Sequence, residues 1–120
     1  MRILTARWVF PAARPPIRDG AVGIHAGRIV AVGRRADVVA ACAAGERWDL
    51  GEAALLPGLV SCHTHLEIGK RADVIAVAAA RVTASGPVGS LLESTRGEEV
   101  LLVLINGVVR HSRCEVPTCA

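Results

Sequence analysis

Asn106-Gly107, set between the apolar runs of "EVLLVLINGVVRH", constrains the fold more than any other feature of the sequence. A two-residue turn with positive φ at both central positions matches the twist of two antiparallel strands, and Asn-Gly tolerates that geometry best. The stretch predicts a β-hairpin. A second hairpin is expected where Ala26-Gly27 divides the apolar runs of "AVGIHAGRIVAVG".

The rest of the chain reads as short strands with punctuation. "ILTARWVF" alternates loosely and stops at Pro11, and "PAARPPIRDG" is a Pro-rich connection ending in a turn at Asp19-Gly20. "RADVVAACAAG" is rich in alanine and predicts a short helix, with Gly45 as its C-terminal stop. "ERWDLGEAALLPG" reads as strand, turn, strand, ending at Pro57-Gly58, and "RADVIAVAA" (71–79) as a buried strand. "TASGPVGSLLESTRG" reads as loop with one helical turn at 90–94. "GRRADVVAA" from Gly33 and "GKRADVIAV" from Gly69 nearly repeat, but one leads into a helix and the other into a strand, and two copies make no solenoid. The sum is mainly β, seven or so short strands and one short helix, in a sandwich or half-barrel.

Composition narrows the partners. At 120 residues there is room for one domain, and 52% hydrophobic content argues against disorder. With one Phe, two Trp and no Tyr the core must be aliphatic, Trp8 and Trp48 being its largest members. The net charge of +3 comes from scattered arginines, with only Arg34-Arg35 and Lys70-Arg71 adjacent. A nucleic-acid footprint needs a clustered basic face with stacking aromatics, so no nucleic acid is expected. No apolar stretch is long enough for a membrane span, and Arg7 and Pro11 interrupt the N-terminal one, so no membrane is expected and cytoplasm is the default location. Cys42, Cys62, Cys114 and Cys119 lack metal or redox spacing and read as free thiols.

His63 and His65 are the residues with chemistry. Two apart on a strand, both imidazoles face one side and can reach one metal ion, zinc or another divalent metal such as iron or nickel. Alone, such a pair is common by chance. Its context is not. "LLPGLVSCHTHLE" resembles the signature of the amidohydrolase superfamily, in particular the cytosine deaminase, guanine deaminase and chlorohydrolase-like branch. "LEIGKRADVIAV" resembles the segment that follows the barrel in that family, and "VLLVLINGVVR" its closing hairpin.

The resemblance implies a composite β-sandwich of the amidohydrolase type, with one short helix, and a first barrel strand whose His-x-His binds metal. It also implies a (β/α)8 barrel of about 250 residues between the two motifs. Here the motifs abut. The implied organisation is one β-sandwich domain over 1–120: a pre-barrel segment (1–58), a remnant of the first barrel strand (59–67) and a post-barrel segment (68–120), lacking the TIM barrel. Leu66-Glu67 fits both flanking motifs, as an in-frame internal deletion would leave it.

Chemistry suffers accordingly. The barrel would supply further metal histidines and a catalytic aspartate. His25 and His111 stand in no matching segment, and Asp73 belongs to the post-barrel part, so no catalytic residue is assigned. Two histidines hold a metal weakly, since catalytic zinc takes three protein ligands. The expected function is a truncated amidohydrolase-like protein without independent catalysis. The alternative is a metal-dependent hydrolase acting on non-peptide carbon–nitrogen or C–Cl bonds, its site completed by oligomerisation or a partner chain. A small metal-binding protein using His63 and His65 with His111 or Cys114 has no spacing in its favour. An unpaired apolar strand at 59–65 is expected to make the chain a homo-oligomer.

Overall fold

A computed structural model of the chain describes residues 1–12, 14–58, 66–94 and 99–113. Its strands are β1 (Arg2–Val9), β2 (Ile17–His25), β3 (Arg28–Arg34), β4 (Glu46–Asp49), β5 (Ala53–Pro57), β6 (Val74–Ala78), β7 (Val100–Ile105) and β8 (Val108–Ser112). Two helices, α1 (Arg35–Ala41) and α2 (Pro87–Ser94), interrupt them. The strands form one eight-stranded sheet in the order β3-β2-β1-β5-β6-β7-β8, with β4 also on β1. Both expected hairpins are present: Ala26 and Gly27 have φ of 51° and 75°, Asn106 and Gly107 of 53° and 78°. Positive φ at both central positions is the turn that suits twisted antiparallel strands.

β1 is the spine. It pairs antiparallel with β2 along one edge. Its other edge is shared, in parallel, by β4 opposite Arg2–Thr5 and β5 opposite Trp8–Val9. Between those strands the Asp49 carboxylate accepts from the Gly51 amide at 3.0 Å and from the hydroxyl of buried Thr5 at 3.3 Å. These bonds hold the chain against β1 while it turns from one strand into the next.

The sheet folds over on itself. Its inner face gathers Leu4, Ala6 and Val9 of β1, Val22 and Ile24 of β2, Leu55 of β5, Val74 and Ala76 of β6, and Leu102 and Leu104 of β7. Trp48 and Leu66 complete this cluster. The fold-over is stitched by backbone bonds: the Ile29 amide donates to the Lys70 carbonyl, and the Gly69 amide to that of Ile29. Each helix covers part of the outer surface. Val38 of α1 packs on Ile3 and Ala21, and Leu91 of α2 joins Trp8, Phe10, Ala54 and Val77.

Three expectations need correcting. The described residues hold eight strands, in keeping with seven or so, but two helices rather than one, because "PVGSLLES" continues helically from Pro87 instead of making one turn. Pro is tolerated at a helix start, where its missing N–H has no intrahelical partner. Asp19-Gly20 is not a turn but lies inside β2, Asp19 with φ 52°. A side chain at Gly20 would stand 2.6 Å from Val9 Cγ2, so only glycine lets the strands approach there. Gly45 is not the helix stop. α1 ends at Ala41 with Cys42 as its cap, and Gly45 instead makes room for Ile3, 3.0 Å from where a Cβ would sit.

The strand pleat changes parity at Asp19. Ile17 packs on the inner cluster, and so do Val22 and Ile24; opposite them on β1 the inner positions pass from Leu4 and Ala6 to Val9. Both strands slip one residue relative to alternation while their pairing register is kept.

Candidate functional site

His63 and His65 lie outside the described residues, as does Cys62. What the structure places are their anchors. β5 ends at Pro57, and the Gly58 amide then donates to the Asp73 carbonyl at 2.8 Å. On the far side the Leu66 amide donates to the Pro11 carbonyl at 3.0 Å, and its side chain is fully buried in the inner cluster. β5 and β6 are direct antiparallel neighbours, from Ala53 opposite Ala78 to Pro57 opposite Val74. Residues 58–73 are therefore a connection between adjacent strands.

Beside these anchors lies a groove of about 340 Å³ between Phe10, Leu56, Pro57, Val88 and Leu91, with Arg14 at its margin. Its walls are apolar and offer one guanidinium. They can receive an apolar group, and among the described residues that line the groove none is a carboxylate or an imidazole.

The other expected residues are dispersed. His25 is exposed at the end of β2, paired with Arg28, and His111 is exposed on β8 opposite Val103. Asp73 does structural work: its Oδ1 accepts from the Asn106 amide at 2.8 Å and lies 3.8 Å from an Arg71 nitrogen. It holds the β7–β8 hairpin. Trp8 and Trp48 are core residues, with the Arg2 guanidinium carbon 4.0 Å from the centre of the Trp48 ring. Cys114 and Cys119 lie outside the described residues.

No protein-family model matches the chain. Individual relatives do. It is 52% identical over 50 residues to the imidazolonepropionase of Ralstonia nicotianae, covering 42% of this chain and 12% of that protein. It is 49% identical over 53 residues to the 5-methylthioadenosine/S-adenosylhomocysteine deaminase of Nitratidesulfovibrio vulgaris, covering 44% and 12%. Against the imidazolonepropionase of Cupriavidus taiwanensis it is 39% identical over 100 residues, covering 76% and 24%. The chain is a partial homologue of the amidohydrolase superfamily.

This amidohydrolase-like chain spans between 12% and 24% of the length of the curated relatives it matches. A match covering 76% of it must pass through Leu66-Glu67, and at 100 residues that match holds no barrel-length gap. The superfamily is metal-dependent; among the described residues no group of three or more His, Cys, Asp or Glu stands together. His63 and His65 add two imidazoles, one short of the three protein ligands catalytic zinc takes. No metal-assisted step is assigned to this chain. Among the described residues no helix is long and apolar enough to cross a membrane.

Three arginines, Arg18, Arg34 and Arg35, are brought to one cleft by the folded chain. Arg34-Arg35 is visible as a pair, but Arg18 joins it only through the pairing of β2 with β3.

Proposed function

We propose that this chain is a self-contained amidohydrolase-type β-sandwich without independent catalysis, acting as an assembly module. One observation carries the reading: β5 and β6, which flank the His-Thr-His segment in sequence, pair with each other over five residues. The sheet therefore needs nothing inserted between residues 58 and 73 to be complete. Its core is built from both sides of that segment, and Leu66 is sealed within it. The assembly partner is a second copy of the chain. β8 ends the sheet, and Val108 is 50% exposed upon it. An open edge with an apolar residue is a surface on which strands from two copies pair.

Metal content tests the catalytic half of the proposal. The measurement is elemental mass spectrometry of purified, dialysed protein, wild type beside the His63→Ala/His65→Ala variant. The expected result is no stoichiometric metal in either. Stoichiometric zinc, iron or nickel that survives dialysis and vanishes in the variant would overturn it.

A second reading has the relatives' names in its favour. A hydrolase or deaminase acting on a carbon–nitrogen bond would use His63 and His65 with ligands from a second chain. The same metal measurement decides between the two.

A further inference from the structure

A cleft stands where β2 and β3 run into α1. It measures about 490 Å³ and is lined by Pro16, Ile17, Arg18, Asp19, Arg34 and Arg35 together with Ala36. That is within the range of small-ligand sites. Three guanidiniums meet one carboxylate there. Asp19 engages only one of them, its Oδ1 2.9 Å from Arg35 Nε. The side chains of Arg18 and Arg34 have no ion pair or hydrogen bond among the described residues. Asp37, in the first turn of α1, is the next acid along the chain but does not line the cleft.

The backbone holds this arrangement in place. Register sets Gly20 opposite Arg34, so Arg34 stands two residues along the ladder from Arg18. The left-handed Asp19 breaks the alternation of β2 between them and gives its carboxylate to Arg35. The result is a cleft with two uncommitted positive charges beside a third that is anchored.

We infer that this cleft binds a small dianion through the N–H edges of the Arg18 and Arg34 guanidiniums, with Arg35 held in position by Asp19. Guanidinium forks donate paired N–H bonds to the oxygens of phosphoryl or carboxylate groups, and two net positive charges match a phosphate monoester or a dicarboxylate. The site is independent of His63 and His65, and of whether the chain catalyses anything.

The test is NMR titration of the isotopically labelled full chain with inorganic phosphate, with succinate, and with sodium chloride at matched ionic strength. The backbone amides of Arg18, Asp19, Arg34, Arg35 and Ala36 are expected to shift saturably with phosphate or succinate and not with chloride. Tighter binding of phosphate assigns a phosphoryl ligand, and tighter binding of succinate a dicarboxylate. Affinity is expected to fall at least about tenfold in Arg18→Gln/Arg34→Gln, the loss of charge-assisted bonds. Both positions are exposed, and the single variants Arg18→Gln and Arg34→Gln give the same readout should the double variant not fold. Shifts that rise without saturation, that chloride reproduces, or that persist unchanged in the variants would overturn the inference.

Discussion

Gly27 and Gly107 meet tip to tip: a Cβ on Gly107 would lie 3.1 Å from the Gly27 Cα, and one on Gly27 would lie 2.9 Å from the Asn106 carbonyl oxygen. The two hairpin turns thus close the folded sheet against each other. Ala72 joins them, its amide donating to the Gly27 carbonyl and its carbonyl accepting from the Gly107 amide. Gly107→Ala is expected to destabilise by about 3 kcal/mol, combining left-handed strain with overpacking. Gly89→Ala is the control. That residue lies in α2 with nothing within 4 Å of its would-be Cβ, and the change is expected to be neutral or stabilising by up to about 1 kcal/mol. Urea denaturation of both variants reads the difference.

Leu66 and Ile68 stand two residues apart and should respond oppositely. Leu66 is fully buried and Ile68 is 71% exposed. Leu66→Ala is expected to cost about 2–5 kcal/mol by leaving a cavity, and Ile68→Ala less than about 0.5 kcal/mol. Equal losses in the two variants would mean that Leu66 does not seal the core.

Arg2 ties the first strand to the last hairpin. Its guanidinium lies over Trp48 and its Nη1 donates to the Gly107 carbonyl at 3.1 Å. Arg2→Gln is expected to destabilise by about 1–2 kcal/mol and to change the Trp48 emission, whereas Arg7→Gln, breaking the surface pair with Glu52, should cost less than about 1 kcal/mol. Denaturation followed by tryptophan fluorescence measures both.

Association is expected to follow concentration. Sedimentation equilibrium should give a mass above that of the monomer, and Val108→Lys on the edge strand should shift it towards the monomer. A clean monomer at every concentration would remove the assembly role.

The features legible in the sequence are those that local chemistry decides. Both hairpin turns were readable because their positive-φ pairs act within two residues. The opposite case is Arg-Ala-Asp-Val, which occurs twice. At 35–38 it opens α1, and at 71–74 it enters β6. Asp37 sits in a helical first turn, while Asp73 accepts from Asn106, 33 residues away. Identical letters take different structures because neighbours distant in sequence decide them. Asp19-Gly20 misled for the same reason: its turn chemistry is genuine, but pairing with β1 converts it into an interruption of a strand. The arginine cleft was beyond reach of pattern reading, since it exists only once β2 and β3 are in register.

The anchoring of Gly58 and Leu66 bears on how such a sheet tolerates change. One end is fixed to Asp73 and the other to Pro11, which follows Phe10, itself bonded through its amide to the Leu55 carbonyl. Both attachment points thus sit at one end of the β5–β6 pair, and neither depends on what runs between them. The entropic cost of a connection rises only slowly with its length. A longer or shorter connection at that position is therefore expected to leave the β5–β6 pairing in place, so that the sheet would carry what is grafted there without sharing its fate.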